Sequence, residues 1–164
     1  MSGINFNDTD TKPFAAVFAQ WNNGTDESTN LNTATYTAAP IFTTEAYGNY
    51  TAEFTKNSTT ELQVNFDGIV LICANLNMQS AGTRVGVRSR VHLNGSVVGA
   101  GGSITYIRNA GSGDSESSSI ISPFYLSVSS GDLIDVRTIR TANATDTTTF
   151  YGANQNYITI LRVA

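Results

Sequence analysis

Thr83-Arg84-Val85-Gly86-Val87-Arg88-Ser89-Arg90-Val91-His92-Leu93-Asn94-Gly95 is the stretch that decides the fold. Val85, Val87, Val91 and Leu93 fall on one side of a period of two, and Arg84, Arg88, Arg90 and His92 fall on the other. That alternation belongs to a strand with one face in a core and one in solvent. Asn94-Gly95 tolerates the two positive-φ positions of a tight hairpin, so Val97 and Val98 resume a neighbouring strand.

Upstream, Leu62, Val64 and Phe66 alternate into Asp67-Gly68, and a fully apolar run, Ile69-Val70-Leu71-Ile72-Cys73-Ala74, follows. A run without polar alternation marks the most buried strand. Tyr50 to Lys56 alternates and residues 31–37 and 40–44 are Thr-rich, so all three suit short, half-exposed strands, and Phe14 to Trp21 reads as a first strand ended by Asn22-Asn23-Gly24. Downstream, the Gly99 to Gly102 stretch bends the chain before a strand at Ile104 to Ile107. Asn109 to Ser119 has no apolar content beyond Ala110 and reads as an exposed loop. Phe124, Leu126 and Val128 then alternate toward the turn Ser130-Gly131-Asp132, and strands follow at Leu133 to Ile139, Thr147 to Tyr151 and Tyr157 to Val163. Roughly ten short strands separated by turn signals predict one all-β domain, an antiparallel jelly-roll sandwich over residues 14–164. Residues 1–13, polar and ending at Pro13, read as an N-terminal arm.

The composition agrees. Only 13% of the 164 residues are charged, and 40% are hydrophobic. The formal charge of −4 argues against a general electrostatic grip on nucleic acid. The charge is unevenly spread: residues 1–83 carry Lys12 and Lys56 against eight acids, whereas residues 84–164 carry seven Arg against five. Cys73 is the only cysteine, so no intrachain disulfide forms. The first ten residues lack the basic and apolar stretches of a signal peptide, and no 18 consecutive apolar residues occur. A protein made in cytoplasm, with no membrane contact, is expected.

Catalytic constellations are missing. A hydrolase needs a nucleophile, a base and an orienting group, and the single histidine, His92, sits in a regular strand without a companion motif. Cys73 lies inside an apolar run and reads as a buried thiol rather than a nucleophile. Asp132, Asp135, Asp114 and Glu116 do not have calcium-loop spacing. No enzyme activity, metal or cofactor is expected. The row Arg84, Arg88, Arg90, His92 is the candidate partner-binding surface, with consecutive members of the alternation about 6.6 Å apart on one face and suited to an acidic partner.

Four segments resemble the C1q/TNF-like jelly-roll superfamily, in the short form found in phage and bacterial genomes. They are Phe66-Asp67-Gly68-Ile69-Val70-Leu71, Val91-His92-Leu93-Asn94-Gly95, Leu126 to Val136 around Gly131-Asp132, and Tyr157-Ile158-Thr159-Ile160-Leu161-Arg162-Val163. The resemblance covers about residues 40–164 and departs from animal members in lacking a signal peptide and a collagen-like stalk. It implies a ten-stranded jelly roll that assembles as a homotrimer about a threefold axis. It would place Phe124, Tyr125, Phe150, Tyr151 and Tyr157 at the subunit contact. The function expected is that of a phage virion structural protein, a trimeric decoration or cement protein on the outer capsid that binds the major capsid protein. The alternative is a carbohydrate- or receptor-binding module such as a tail-fibre or spike tip, with Trp21 or the Tyr-rich turns as glycan-stacking platforms and the Gly-Ser loop as an adaptable rim.

Overall fold

The computed structural model describes residues 17–24, 28–48, 52–82, 84–108 and 115–163, so the expected arm at 1–13 lies outside the described residues. Within them there are twelve strands and no helix. They are β1 (Phe18–Asn22), β2 (Thr37–Ala38), β3 (Thr44–Gly48), β4 (Phe54–Lys56), β5 (Glu61–Val64) and β6 (Gly68–Ser80), then β7 (Val85–Leu93), β8 (Ser96–Ile107), β9 (Glu116–Val128), β10 (Leu133–Arg140), β11 (Thr148–Phe150) and β12 (Tyr157–Arg162). All pairings between them are antiparallel.

Two sheets form the sandwich. The first runs β9–β6–β12–β1–β3, with β11 extending the β12 side of β6. The second runs β4–β5–β10–β7–β8, with β2 also paired to β10. The all-β sandwich expected from the alternation is what forms. There are twelve strands where roughly ten were expected, the shortest being the two-residue β2 and the three-residue β4 and β11.

Turn chemistry sets the register of the second sheet. Asn94 and Gly95 both take positive φ, 52° and 77°, and close the β7–β8 hairpin. Gly131, at φ 96°, turns β9 into β10. The two turns are tied together: Asn94 Nδ2 donates to Asp132 Oδ1 at 2.7 Å, and Leu133 N–H donates to Asn94 Oδ1 at 2.9 Å. Asp132 also accepts from Ser129 N–H at 2.7 Å, so its carboxylate is a turn element.

Three local expectations change. Residues 31–37 and 40–44 are largely irregular, because Asn30 Oδ1 accepts from the backbone of Asn32 and Thr148 and replaces ladder bonds. The Ser-rich segment is not all loop: residues 116–119 open β9, paired with Gln79 to Leu76, and Ser119 is fully buried. Trp21, 1% exposed, packs edge-on against Phe42 at 5.6 Å and Phe54 at 6.5 Å, and Phe54 meets Phe66 at 5.7 Å. It is the centre of the core, so it is no platform for a sugar.

The opposite part of the interior is polar. Thr138, Ser89 and Ser103 are register partners across β10, β7 and β8 on the inward side. The buried hydroxyls of Ser89, Thr138 and Ser119 have no protein hydrogen-bond partner. Trp21→Ala should therefore cost about 3–5 kcal/mol in denaturant unfolding. Thr138→Val, which removes an unpartnered polar atom and keeps its shape, should leave stability unchanged or raise it.

Candidate functional site

Strands alternate their side chains between the two faces of a sheet, so each layer of the sandwich has one face in the core and one outside. In β6, Val70, Ile72, Ala74, Leu76 and Met78 are buried, which turns Ile69, Leu71, Cys73, Asn75, Asn77 and Gln79 outward. Register places Leu71 beside Tyr125 on β9 and beside Leu161 on β12, and Leu161 beside Phe18 on β1. Tyr125, Leu71, Leu161 and Phe18 thus form one apolar row across four strands. Tyr125 is 69% exposed and Phe18 37%. A flanking row holds Ser127, Ile69 and Val163, the last donating its N–H to the Ile69 carbonyl at 2.8 Å. On the other flank are Cys73, Thr159, Gln20 and Tyr47, then Ile120, Asn75, Tyr157 and Asn22. These four rows contain no charged side chain.

The five aromatic residues expected at a subunit contact divide. Tyr125 and Tyr157 lie on this outward face. Phe124 turns inward after the register shift between Ile72 and Ala74 and packs on the core. Phe150 is 1% exposed inside the core, out of reach of any neighbouring subunit. Tyr151 is half-buried at the end of β11, its N–H donating to the Asn77 carbonyl at 2.8 Å.

The outward face of the second sheet carries the arginine row. Arg88 and Arg90 are half-buried there, while Arg84 is exposed ahead of β7 with φ 63°. His92 is a correction. It shares the face but is only 2% exposed, because the Tyr36 ring lies edge-on over the imidazole at 4.7 Å. Nδ1 is 3.1 Å from the Gly95 carbonyl oxygen, to which only a protonated nitrogen can donate, and Nε2 is buried without a partner. The register partner of His92 on β10 is Asp135, itself 1% exposed. Arg137 clamps that carboxylate with Nε at 3.0 Å from each oxygen and Nη2 at 2.7 Å from Oδ2. The hydrogen bond to Asp135 holds the Arg137 guanidinium above its usual range, against the opposing effect of burial. The open part of the row is therefore Arg84, Arg88 and Arg90, and His92 is a covered structural residue.

Among the described residues, no group of three His, Cys, Asp or Glu side chains is placed to hold a metal. A recess of about 370 Å³ lies between Gln79, Ser80, Ser115, Thr147 and Thr149. Its Ser80 and Thr149 hydroxyls donate to the carbonyls of Thr147 and Phe150.

The sequence pattern passed over Phe18, Ile69, Leu71, Ile120 and Leu161 as surface residues. The signal was present in Ile69 to Ala74: a strand apolar at every position has both faces to cover, and a two-layer sandwich covers one.

No protein-family model and no curated protein matches the sequence. Solved structures do. The Eiger TNF of S. frugiperda superposes with a TM-score of 0.64 at 15% identity, over 91% of this chain and 93% of that one. Murine APRIL at pH 8.0 gives 0.61 at 11% identity, over 90% and 99%. Murine APRIL at pH 5.0 gives 0.60 at 10% identity over the same shares.

Two substitutions test the covered cluster. Arg137→Ala leaves the buried Asp135 carboxylate without its partner and should cost about 3 kcal/mol in denaturant unfolding. Tyr36→Ala should raise the rate at which diethyl pyrocarbonate modifies His92 several-fold, where an unchanged rate would mean that Tyr36 does not cover the ring. Through its two sheets, their strand order and these structural neighbours, the chain has the TNF-like jelly-roll fold.

Proposed function

We propose that this chain is a non-enzymatic structural or recognition module that works as a homotrimer, joined through the outward face of β9, β6, β12 and β1. The observation that carries the proposal is the uncharged row Tyr125–Leu71–Leu161–Phe18 with its flanking Ile69 and Val163. A soluble sheet face this apolar is the signature of a subunit contact, and copies of the same chain are its commonest occupant. The resemblance to the C1q/TNF-like superfamily favours a threefold over a twofold arrangement. Assembly through the first sheet leaves the second sheet facing outward.

The narrower form of the proposal is a decoration protein on the outer face of a phage head, where the outward sheet would meet shell protein. Purified virions that contain this chain would support it, and intact particles lacking the chain would refute it. A glycan- or receptor-binding tip is the competing role on the same scaffold.

Light scattering over a range of concentrations tests the assembly itself. The expected mass is three times 17.5 kDa. Leu71→Asp, which places a charge in the centre of the row, should reduce the mass to one chain while far-ultraviolet circular dichroism stays that of a β protein. A wild-type chain that remains a monomer at every concentration would overturn the trimer.

A further inference from the structure

The opposite face of the sandwich is built around a break in the β7–β8 ladder. His92 pairs with Val97 and Arg90 with Gly102, so two steps along β7 are matched by five along β8. The three extra residues bow out within Val98–Gly101, and a depression of about 250 Å³ opens between the bow, Arg88, Arg90 and Ile104. Glycine is required at two points, and a Cβ on the first, Gly101, would lie 2.6 Å from the Phe124 ring and 2.9 Å from Val91 Cβ, so the backbone there packs on the core. A Cβ on Gly102 would lie 2.8 Å from Arg90 Cδ and 3.0 Å from its Nε, so the arginine stem lies flat across the bare backbone. Nη1 of Arg90 reaches the Gly99 carbonyl at 3.4 Å. A Cβ on Gly99 would meet nothing within 4 Å, so the floor of the depression is open.

Charge is uncompensated here. Arg90 is the register partner of Arg137, whose guanidinium is spent on Asp135, and Arg88 is the partner of Ile139 and Ile104. Among the described residues the only salt bridge is Arg137–Asp135. Like charges on neighbouring strands destabilise a sheet, so holding Arg90 beside Arg137 has an electrostatic cost to the fold. Around them the same face exposes Ile104 at 57%, Tyr106 at 54% and Val97 at 45%.

We infer that the Arg88–Arg90 depression is a recognition site for an acidic polypeptide, whose carboxylates the two guanidinium groups take while its apolar side chains cover Ile104 and Tyr106. Arginine forks match carboxylates in pairs, and arginine interleaved with aromatic and aliphatic residues is the composition of a protein interface. A polymer of phosphates or sulfates needs a broad cationic field, which a chain of net charge −4 does not provide. The site is independent of the assembly face, because it lies on the other sheet.

The test is fluorescence polarisation of the full chain with a labelled peptide of alternating glutamate and tyrosine, alongside a sulfated polysaccharide. Saturable peptide binding that weakens at least tenfold in Arg88→Glu/Arg90→Glu, and is unchanged in Lys56→Ala, is the expected result. Gly102→Ala removes no charge but displaces Arg90, and should weaken binding as well. Light scattering of each variant must still give the wild-type mass, which separates failure of this site from failure of the trimer. Absence of peptide binding, equal binding by the reversed variant, or binding of the polysaccharide alone would overturn the inference.

Discussion

A two-layer sandwich covers one face of each sheet, and β6 is apolar on both from Ile69 to Ala74. Val70, Ile72, Ala74, Leu76 and Met78 close the core, and Ile69, Leu71 and Cys73 face away from it. The apolar surface of the first sheet follows from that mismatch. The neighbours of β6 match its outward side, with Tyr125 on β9 and Leu161 on β12, so the apolar surface is a property of the whole sheet. Burial of such a face is worth roughly 25 cal/mol per Å² of apolar area, which a partner surface gains and solvent does not.

The second sheet meets a different constraint. Its outward side carries charge, and part of that charge is covered and paired: Asp135 is held by Arg137, and the Nδ1 side of His92 meets the Gly95 carbonyl beneath Tyr36. Beyond this covered patch the pairing stops. Among the described residues Arg88 and Arg90 have no carboxylate partner, and they stand beside a glycine bow that is open at Gly99. The two sheets thus present opposite surfaces, one uncharged and apolar, the other cationic and indented. A module that assembles through one and recognises through the other uses both.

Much of the fold was legible in local pattern. The Val85 to Leu93 alternation, the Asn94-Gly95 hairpin and the Gly131-Asp132 turn stand where period and turn chemistry put them, because each depends on residues adjacent in sequence. What escaped depends on residues far apart. Trp21 is a core residue because β4 and the segment after β2 bring Phe54 and Phe42 to it. His92 is covered by a tyrosine 56 positions upstream, which no strand pattern announces. Ser117 to Ser119 look like loop until β6 supplies Leu76 to Met78 as ladder partners. Phe124 and Phe150 were read with Tyr125 and Tyr157 as one aromatic group, yet the first pair faces inward and the second outward. The register shift between Ile72 and Ala74 decides which of Phe124 and Tyr125 faces inward, and bulges leave little trace in composition.

Cys73 gives the most direct test of the central claim, because the only thiol in the chain sits on the outward side of β6, next to the apolar row and opposite Thr159. The rate of its reaction with a disulfide reagent should be measured in native protein over a wide range of concentrations. If copies of the chain cover this face, the thiol reacts slowly when concentrated and faster on dilution as subunits part. A rate that is fast and independent of concentration would show that the face stands open to solvent, and would contradict the account.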